Sequence, residues 1–323
     1  MRVLVTGGAG YIGSHVVWRL LDQGHQPITF DNLSTGHADS VRGPLVQGDL
    51  CRREQVLEAF AEHRPEAVMH FASHALVGES VRDPRRYFHD NLVGALNLLD
   101  AMQAHGVRLF IFSSTAATYG APQRVPIPED HPQLPVNPYG DTKLCIERML
   151  VAYGRAYGLR YGALRYFNAA GAAPEQGLGE RHDPETHLIP LLLRVATGEL
   201  PAAQVFGSDY DTPDGTCVRD YIHVLDLADA HLRALGHLVG GGRSLALNLG
   251  TGSGHSVLEV LRTAREVTGS ELPVEHRPRR DGDPPVLVAA ADRAREVLGW
   301  SPGCSDLRSI VSSAWEFHRA RAS

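Results

Sequence analysis

A tyrosine and a lysine lie four residues apart in the segment Asn137-Pro138-Tyr139-Gly-Asp-Thr-Lys143. Asn137 suits a helix N-cap and Pro138 a first turn, so Tyr139 and Lys143 should share one helix face. A tyrosine that acts as a general base near pH 7 must lose roughly three pKa units, about 4 kcal/mol. A neighbouring ammonium group can supply a large part of this by stabilising the phenolate. The spacing therefore predicts a proton-transfer pair.

Lys143 is the only lysine among the 31 lysine and arginine residues of the chain. Arginine cannot replace lysine where a compact ammonium group is needed. An exposed helical pair with no chemical role would show the same spacing, but the single retained lysine favours catalysis. The segment Phe112-Ser-Ser-Thr-Ala-Ala117 closes a predicted strand and offers a hydroxyl that could pass a proton between a substrate and Tyr139.

A glycine-rich turn follows the first apolar run, with Gly7, Gly10 and Gly13 at intervals of three. Such glycines let a pyrophosphate approach the backbone at a helix N-terminus, although tight packing alone would also use them. Asp31 ends the next apolar run. A carboxylate at this position accepts hydrogen bonds from the hydroxyls of the adenine ribose and repels a 2′-phosphate. The pattern favours NAD over NADP, and the positive nicotinamide ring would further stabilise the ionised form of Tyr139.

Secondary-structure elements must position these groups. Short apolar runs alternate with amphipathic stretches along the chain, which predicts βαβ units. The predicted strands are Arg2–Thr6, Pro27–Asp31, Pro44–Gly48, Ala67–His70, Leu109–Ser113, Tyr161–Tyr166, Val205–Phe206 and Leu245–Leu249. The predicted helices are Ile12–Gln23, Glu54–Glu62, Val93–His105, Pro138–Tyr157 and Ile189–Gly198. We predict an α/β fold, with a Rossmann-type doubly wound parallel sheet in an NAD-binding domain at 1–168. A smaller C-terminal α/β substrate domain at 169–323 follows, and part of this segment could cross back to the first domain.

Composition excludes several classes of function. A net charge of −6 without a block of like charges argues against a nucleic-acid partner. No apolar run is long enough for a membrane span, and no signal peptide is recognisable at the N-terminus. The four cysteines are widely separated, and the 17 histidines show no ligand spacing, so we expect reduced thiols, a cytoplasmic protein and no metal.

Longer motifs resemble those of the extended short-chain dehydrogenase/reductases and, within them, the UDP-glucose 4-epimerase family. They are Thr6–His15, Asp31–Ser34, Gly48–Leu50, Val77–Ser80, Arg165–Gly171, Asp214–Val224 and Arg279–Asp283. The similarity extends from Met1 to about Trp300. It implies a homodimer that binds NAD and a UDP-sugar, with a helix pair such as Val93–His105 and Pro138–Tyr157 between subunits. The implied reaction inverts C4 of UDP-glucose or UDP-galactose by transient oxidation, rotation of the 4-keto sugar and re-reduction.

The resemblance also assigns residues, with Tyr139, Lys143 and Thr115 as the catalytic group. The implied NAD-binding residues are Gly7, Gly10, Tyr11, Ile12, Gly13, Asp31, Asn32, Leu33, Ser34, Asp49, Leu50, Phe71, Ala72, Asn91, Tyr139, Lys143 and Phe167. The implied substrate-binding residues are Thr115, Tyr166, Asn168, Leu188, Val205, Phe206, Arg219, Tyr221, Arg280, Asp283 and Leu287. In that scheme Arg219 and Arg280 hold the phosphates, Val205 and Phe206 line the uracil slot, and Asp283 meets the uridine ribose.

Two positions depart from the family pattern: Ala75 replaces a lysine that some epimerases carry near the cofactor pyrophosphate, and Leu287 stands at a gate beside the sugar. Leu287 leaves UDP-N-acetylhexosamines and UDP-pentoses open as substrates. A dehydratase of this family would carry an Asp–Glu pair where this chain has Ala116 and Ala117, which cannot move protons. The rival from another class is a non-catalytic NAD-binding regulator, which the intact catalytic group disfavours.

Overall fold

A computed structural model describes residues 1–280 and 282–322. The strands are β1 Arg2–Thr6, β2 Gln26–Asp31, β3 Leu45–Gln47, β4 Ala67–His70, β5 Leu109–Ser113, β6 Arg160–Tyr166, β7 Asn168–Ala170, β8 Ala203–Phe206, β9 Val218–Arg219, β10 Tyr221–His223, β11 Leu245–Leu249, β12 His255–Ser256, β13 Val274–Arg277 and β14 Val286–Leu287. The helices are α1 Tyr11–Asp22, α2 Arg53–His63, α3 Val77–Arg82, α4 Pro84–Ala104, α5 Pro138–Tyr157, α6 Leu188–Ala196, α7 Val224–Val239, α8 Val257–Thr268, α9 Asp292–Leu298 and α10 Leu307–Ala322.

The central feature is a seven-stranded sheet in the order β11-β6-β5-β4-β1-β2-β3, with every pairing parallel. Side chains of β1 alternate between its two faces, since Val3 and Val5 belong to one apolar cluster and Leu4 to the other. Helices α1 and α7 cover the first face, and α2, α4 and α5 cover the second. The predicted Rossmann-type α/β fold is confirmed.

The sheet is completed by a strand from far along the chain. Strand β11 pairs with β6, with Leu247 opposite Leu164, and α7 packs against α1. The crossing back that the sequence left open is therefore present, and residues beyond 168 share the core of the seven-stranded sheet. The division into domains at 1–168 and 169–323 stays a prediction. It was drawn along the chain, whereas β11 and α7 of the second part pack with the sheet of the first part.

A separate apolar cluster unites α6, α8 and α10 with parts of β8 and β10. Three small sheets border it, in the orders β10-β7, β12-β9-β14 and β13-β8. This smaller region lies beyond the carboxyl end of β6, the end at which an open α/β sheet binds its ligands. It is placed to cover whatever the main sheet holds.

Helix α4 differs most from its prediction, because it begins at Pro84 and not at Val93. Asp83 caps it by accepting a hydrogen bond from the Arg86 N–H at 3.3 Å, and Pro84 occupies the first turn. The added turns are mostly polar, so apolar periodicity did not reveal them. Among the described residues, no helix combines the length and apolar character that a membrane crossing requires.

Candidate active site

Helix α5 places the predicted proton-transfer pair. The Asn137 side chain accepts a hydrogen bond from the Gly140 N–H at 2.8 Å, which fixes where the helix starts. Lys143 Nζ then lies 5.8 Å from the centre of the Tyr139 ring and 4.9 Å from that of Phe112. It donates to the Ser113 carbonyl at 3.0 Å, so the pair meets the carboxyl end of β5 as expected.

Three further hydroxyls surround this pair. The Tyr139 hydroxyl lies near that of Thr115, whose Oγ1 accepts a hydrogen bond from the Ala117 N–H at 3.1 Å. The Tyr166 hydroxyl shares a hydrogen bond with Ser113 and lies close enough to Tyr139 for their charges to interact. The structure thus brings Thr115, Tyr139 and Tyr166 together, in line with the sequence hypothesis.

Burial sets the protonation of the pair in the protein by itself. Burial raises the pKa of Tyr139, and Thr115 partly offsets this rise. Burial also lowers the pKa of Lys143 to about 7. In the protein by itself burial dominates, because the Lys143 ammonium is as poorly solvated as the phenol and its own pKa falls to about 7. That the ammonium and the nicotinamide ring together stabilise the phenolate concerns the protein with its cofactor and stays a prediction.

The glycine turn leaves a helix N-terminus open to a ligand. Gly7 has a φ of 72°, and a Cβ on Gly13 would stand 2.1 Å from the Gly7 carbonyl oxygen, so neither position accepts a side chain. No side chain caps α1, which begins at Tyr11. Asp31 braces the turn by accepting hydrogen bonds from the N–H groups of Ala9 at 3.0 Å and Leu33 at 2.9 Å.

The other residues predicted at the cofactor lie along the same sheet edge. Asn91 accepts a hydrogen bond from the His74 N–H at 2.9 Å and donates to Thr142 at 3.0 Å, which ties the loop after β4 to α5. Asp49 accepts from the Cys51 N–H at 2.8 Å. Asn32, Leu33, Ser34, Leu50, Phe71 and Ala72 follow the ends of β2, β3 and β4, and Phe167 follows β6.

Several predicted substrate residues lie together in the smaller region. Arg219 pairs with Asp283 and donates to the Pro284 carbonyl at 2.8 Å, and the Arg280 guanidinium lies 4.0 Å from the centre of the Phe206 ring. Leu287 and Phe167 pack on the small cluster formed by Ala116, Tyr119 and Ile127, directly after Thr115.

Three of the predicted substrate residues, Val205, Tyr221 and Leu188, have little or only part of their side chains exposed to solvent. Val205 is buried, so Phe206 is the member of that pair with exposed ring surface. Tyr221 is buried in the core of the smaller region, and Leu188 packs at the edge of the same cluster. Asn168, half-buried, stands opposite Tyr221 in the β7–β10 ladder.

A buried ion pair behind the site was missed in the sequence. Arg165 donates to Glu147 through two nitrogens, at 2.9 and 2.6 Å, and Glu147 also accepts from the Ser114 hydroxyl at 2.6 Å. Glu147 stands four residues after Lys143 on α5, so the helical spacing could have indicated it. It holds the strand-end segment that leads into Thr115.

The expectation that no histidines form a ligand cluster is also wrong. Glu180, His182, Glu185 and His187 bring four potential ligand atoms within 4.8 Å of one another. They lie between β7 and α6, in a segment whose bend at 183–184 lets residues several positions apart converge. The spacing Glu-x-His-x-x-Glu-x-His was the available signal, hidden in a stretch that read as a loop.

Comparison with known proteins points to one family. Residues 3–250 match the profile of the NAD dependent epimerase/dehydratase family. The chain belongs to this family. It is 54% identical over 317 residues to a UDP-glucose 4-epimerase of Rhizobium leguminosarum bv. trifolii, covering 98% of this chain and 97% of the relative. A UDP-glucose 4-epimerase of Corynebacterium glutamicum is 51% identical over 322 residues, with 99% and 96% covered.

Solved structures of family members have the same fold. The UDP-glucose 4-epimerase of Brucella ovis, in complex with NAD, superposes with a TM-score of 0.95 at 52% identity and 97% coverage of both chains. The enzyme of Bifidobacterium longum, in complex with NAD⁺ and UDP, gives 0.94 at 38% identity, covering 100% of this chain and 99% of the other.

Two observations on this family member fit a bound dinucleotide. The N-terminus of α1 carries no side-chain cap, so its N–H groups are free to hold a pyrophosphate. Lys143 Nζ makes a single hydrogen bond among the described residues although the side chain is buried. A buried ammonium with spare donors calls for acceptors, which ribose hydroxyls would provide.

Proposed function

We propose that the protein is an NAD-dependent UDP-hexose 4-epimerase that interconverts UDP-glucose and UDP-galactose. The observation that carries this function is the convergence of Tyr139, Lys143 and Thr115 at the carboxyl end of β5. Relatives at about half identity over nearly the whole chain are UDP-glucose 4-epimerases, which agrees with this chemistry.

The cofactor would be held by the glycine turn and the strand ends beside it. The N-terminus of α1 would hold the pyrophosphate, the Asp31 carboxylate would accept hydrogen bonds from the adenosine ribose, and Lys143 would donate to the hydroxyls of the other ribose. Ala75 offers no charge, so binding rests on backbone N–H groups and on burial. NAD, when bound, supplies the oxidant that accepts hydride from C4 of the sugar and later returns it.

Tyr139 moves the proton in this scheme. As a phenolate it removes the proton of the C4 hydroxyl, with Thr115 bridging the two oxygens, and it returns a proton after the sugar has turned. Tyr139 ionises more readily once the positive charge of the oxidised cofactor lies beside it. Lys143 adds to this charge in its protonated form, and burial keeps water from screening both.

The smaller region would anchor the nucleotide and leave the sugar free to rotate. Arg219 and Arg280 offer guanidinium groups for the diphosphate, and Phe206 offers a ring face for the base. Arg219 and Asp283 contact each other, so the phosphate bound by Arg219 and the ribose bound by Asp283 would lie next to each other. Binding energy located in the UDP part would tolerate both orientations of the hexose.

We also propose a homodimer and a cytoplasmic location. Helices α4 and α5 pack together, and α4 leaves Phe88 and Leu96 39% and 42% exposed, which supports an interface there. All four cysteines are unpaired, as suits a reducing compartment. Sedimentation should give a dimer mass, and Leu96→Glu should shift it to that of a monomer if α4 forms the interface.

Replacing Tyr139 by Phe tests the catalytic proposal. We expect epimerisation to fall by about 10²- to 10⁴-fold, the usual contribution of a general acid–base, while bound NAD and the far-ultraviolet circular dichroism stay unchanged. Tyr157→Phe is the matched control, because Tyr157 lies on the same helix but is 49% exposed at its far end. An unchanged rate in Tyr139→Phe would show that Tyr139 is not the base, and absence of epimerisation by the unaltered protein would support the non-catalytic regulator.

A second measurement addresses the role of NAD. Because no net oxidation occurs, the purified protein should turn over without added NAD. Stoichiometric release of NADH with each cycle would contradict an epimerase mechanism.

A further inference from the structure

Four potential metal ligands converge beside the dinucleotide turn, outside the proposed catalytic group. His187 Nδ1 lies 2.8 Å from Glu180 Oε1 and 3.0 Å from Glu185 Oε1, and His182 Nδ1 lies 3.0 Å from Glu180 Oε1. His182 Nδ1 and Glu185 Oε2 are 4.0 Å apart. Two imidazole nitrogens and two carboxylates thus face a common centre, and we call these residues the Glu–His cluster.

The two carboxylates of the Glu–His cluster are buried without a lysine or arginine. The side chains of Glu180 and Glu185 are only 7% and 5% exposed. Among the described residues, the cations within ion-pair distance of them are the two histidines of the cluster. Arg181 lies between them in sequence, but it pairs with Asp39. Glu185 Oε1 also accepts hydrogen bonds from the N–H groups of Thr186 at 2.7 Å and His187 at 2.8 Å, and a divalent cation would balance the charge of the two carboxylates.

We propose that the Glu–His cluster is a binding site for one divalent transition-metal ion of the Zn²⁺ class. Two imidazole nitrogens and two carboxylate oxygens form a donor set that suits Zn²⁺ in tetrahedral coordination. Bonds of about 2.1 Å place tetrahedral ligands roughly 3.4 Å apart. The four nitrogen–oxygen separations of 2.8 to 4.0 Å bracket this value, and all four ligand atoms lie within 4.8 Å of one another.

The position of the site indicates a fastening role. The Tyr11 ring meets His182 edge-on, with 6.4 Å between ring centres, and the Tyr11 hydroxyl donates to the Gly171 carbonyl at 2.6 Å. The His37 ring bonds the Arg181 carbonyl at 2.8 Å. An ion in the cluster would therefore hold residues 180–187 in the conformation that packs against Tyr11 at the start of α1, without touching Tyr139. The proposal does not depend on the epimerase function.

Metal analysis of the purified protein tests the site. After removal of metals with a chelator and titration with Zn²⁺, we expect one ion retained per chain by elemental analysis. Titration with Co²⁺ should give the intense visible d–d absorption of a tetrahedral site, and calorimetry should show a stoichiometry of one ion per chain. His182→Gln and Glu185→Gln should each lower the affinity at least tenfold and weaken the Co²⁺ band.

Two control variants separate this site from other histidines. His89 lies in a second group with Cys51 and Asp90, and His255 pairs with Glu259 at 4.0 Å on the surface. His89→Gln and His255→Gln should retain one ion per chain. Loss of binding in His89→Gln but not in His182→Gln would overturn the proposal, as would the absence of a tetrahedral Co²⁺ spectrum in the unaltered protein. The Co²⁺ spectrum of the unaltered protein tests the proposal even if a variant of the Glu–His cluster fails to fold.

Discussion

Thr115, Tyr139 and Tyr166 bring their hydroxyl groups together where β5 and β6 end. Each comes from a different element, so no short stretch of sequence contains the group. Tyr139 and Lys143 could be predicted from the sequence because one helix carries both at a fixed spacing. Their pKa values could not, since burial of each group depends on how α5 packs on the sheet.

The role of Thr115 can be separated from that of its bulk. Thr115→Val removes the hydroxyl but keeps the shape, and we expect kcat to fall by about 10²-fold or more. Thr115→Ser keeps the hydroxyl and should retain most of the rate. Steady-state kinetics on UDP-galactose measures both, and equal losses in the two variants would show that packing and not proton transfer is affected.

Leu287 should influence which sugars fit. It packs with Phe167 on the apolar cluster just after Thr115, so a larger side chain there would narrow the space beside the sugar. We expect Leu287→Tyr to reduce kcat/KM for UDP-N-acetylgalactosamine at least tenfold relative to UDP-galactose. Parallel assays of the two substrates measure this ratio, and an unchanged ratio would place Leu287 away from the sugar.

At the scale of elements, α5 organises the site. Tyr139, Lys143 and Glu147 follow one another every four residues, and Glu147 reaches the buried Arg165 of β6. The bounds of α5 were predicted because Asn137, Pro138 and Gly158 mark its ends chemically. The start of α4 was missed because its first turns are polar, although Asp83 and Pro84 carried a similar signal.

Glu147→Gln tests the ion pair that supports α5. Removing one partner leaves the Arg165 charge buried without full compensation, which typically costs about 3–5 kcal/mol of unfolding free energy. Glu266→Gln is the control, because the Glu266–Arg308 pair is more than half exposed on both sides and should contribute below about 1 kcal/mol. Urea unfolding of both variants measures the difference. Equal, small losses would contradict the importance of the buried pair.

At the scale of the whole molecule, several histidines are built into the core in neutral form. Burial lowers the pKa of His70 to about 3, and that of His15 and His231 to about 4. In the sequence these residues looked like the other histidines. Their burial depends on the sheet and on α1 and α7 packing together, which spacing along the chain cannot reveal.

These histidines should make the fold sensitive to acid. Their folded-state pKa values lie below the unfolded value of about 6.5, so their contribution is present above that pH and is lost as pH falls towards 4. Each adds a slope of up to about 1.4 kcal/mol per pH unit in that window. His231→Gln should therefore show a shallower decline of unfolding free energy between pH 6.5 and about 4.5 than the unaltered protein.

The exposed His276 provides the comparison for this measurement. His276→Gln should leave the pH profile of urea unfolding unchanged. A decline of the same steepness in His231→Gln and the unaltered protein would show that His231 does not remain neutral in the core.

Strand β11 gives the molecule a particular order of assembly. Its residues 245–249 pair with β6 and complete the nucleotide-binding sheet, so during synthesis β6 keeps a bare edge until they have left the ribosome. A chain cut at residue 168 would expose that edge and the apolar surface that α7 covers, and it should aggregate. The sheet that carries Tyr139 and Lys143 at its edge is therefore complete only after residue 249 has been added to the chain.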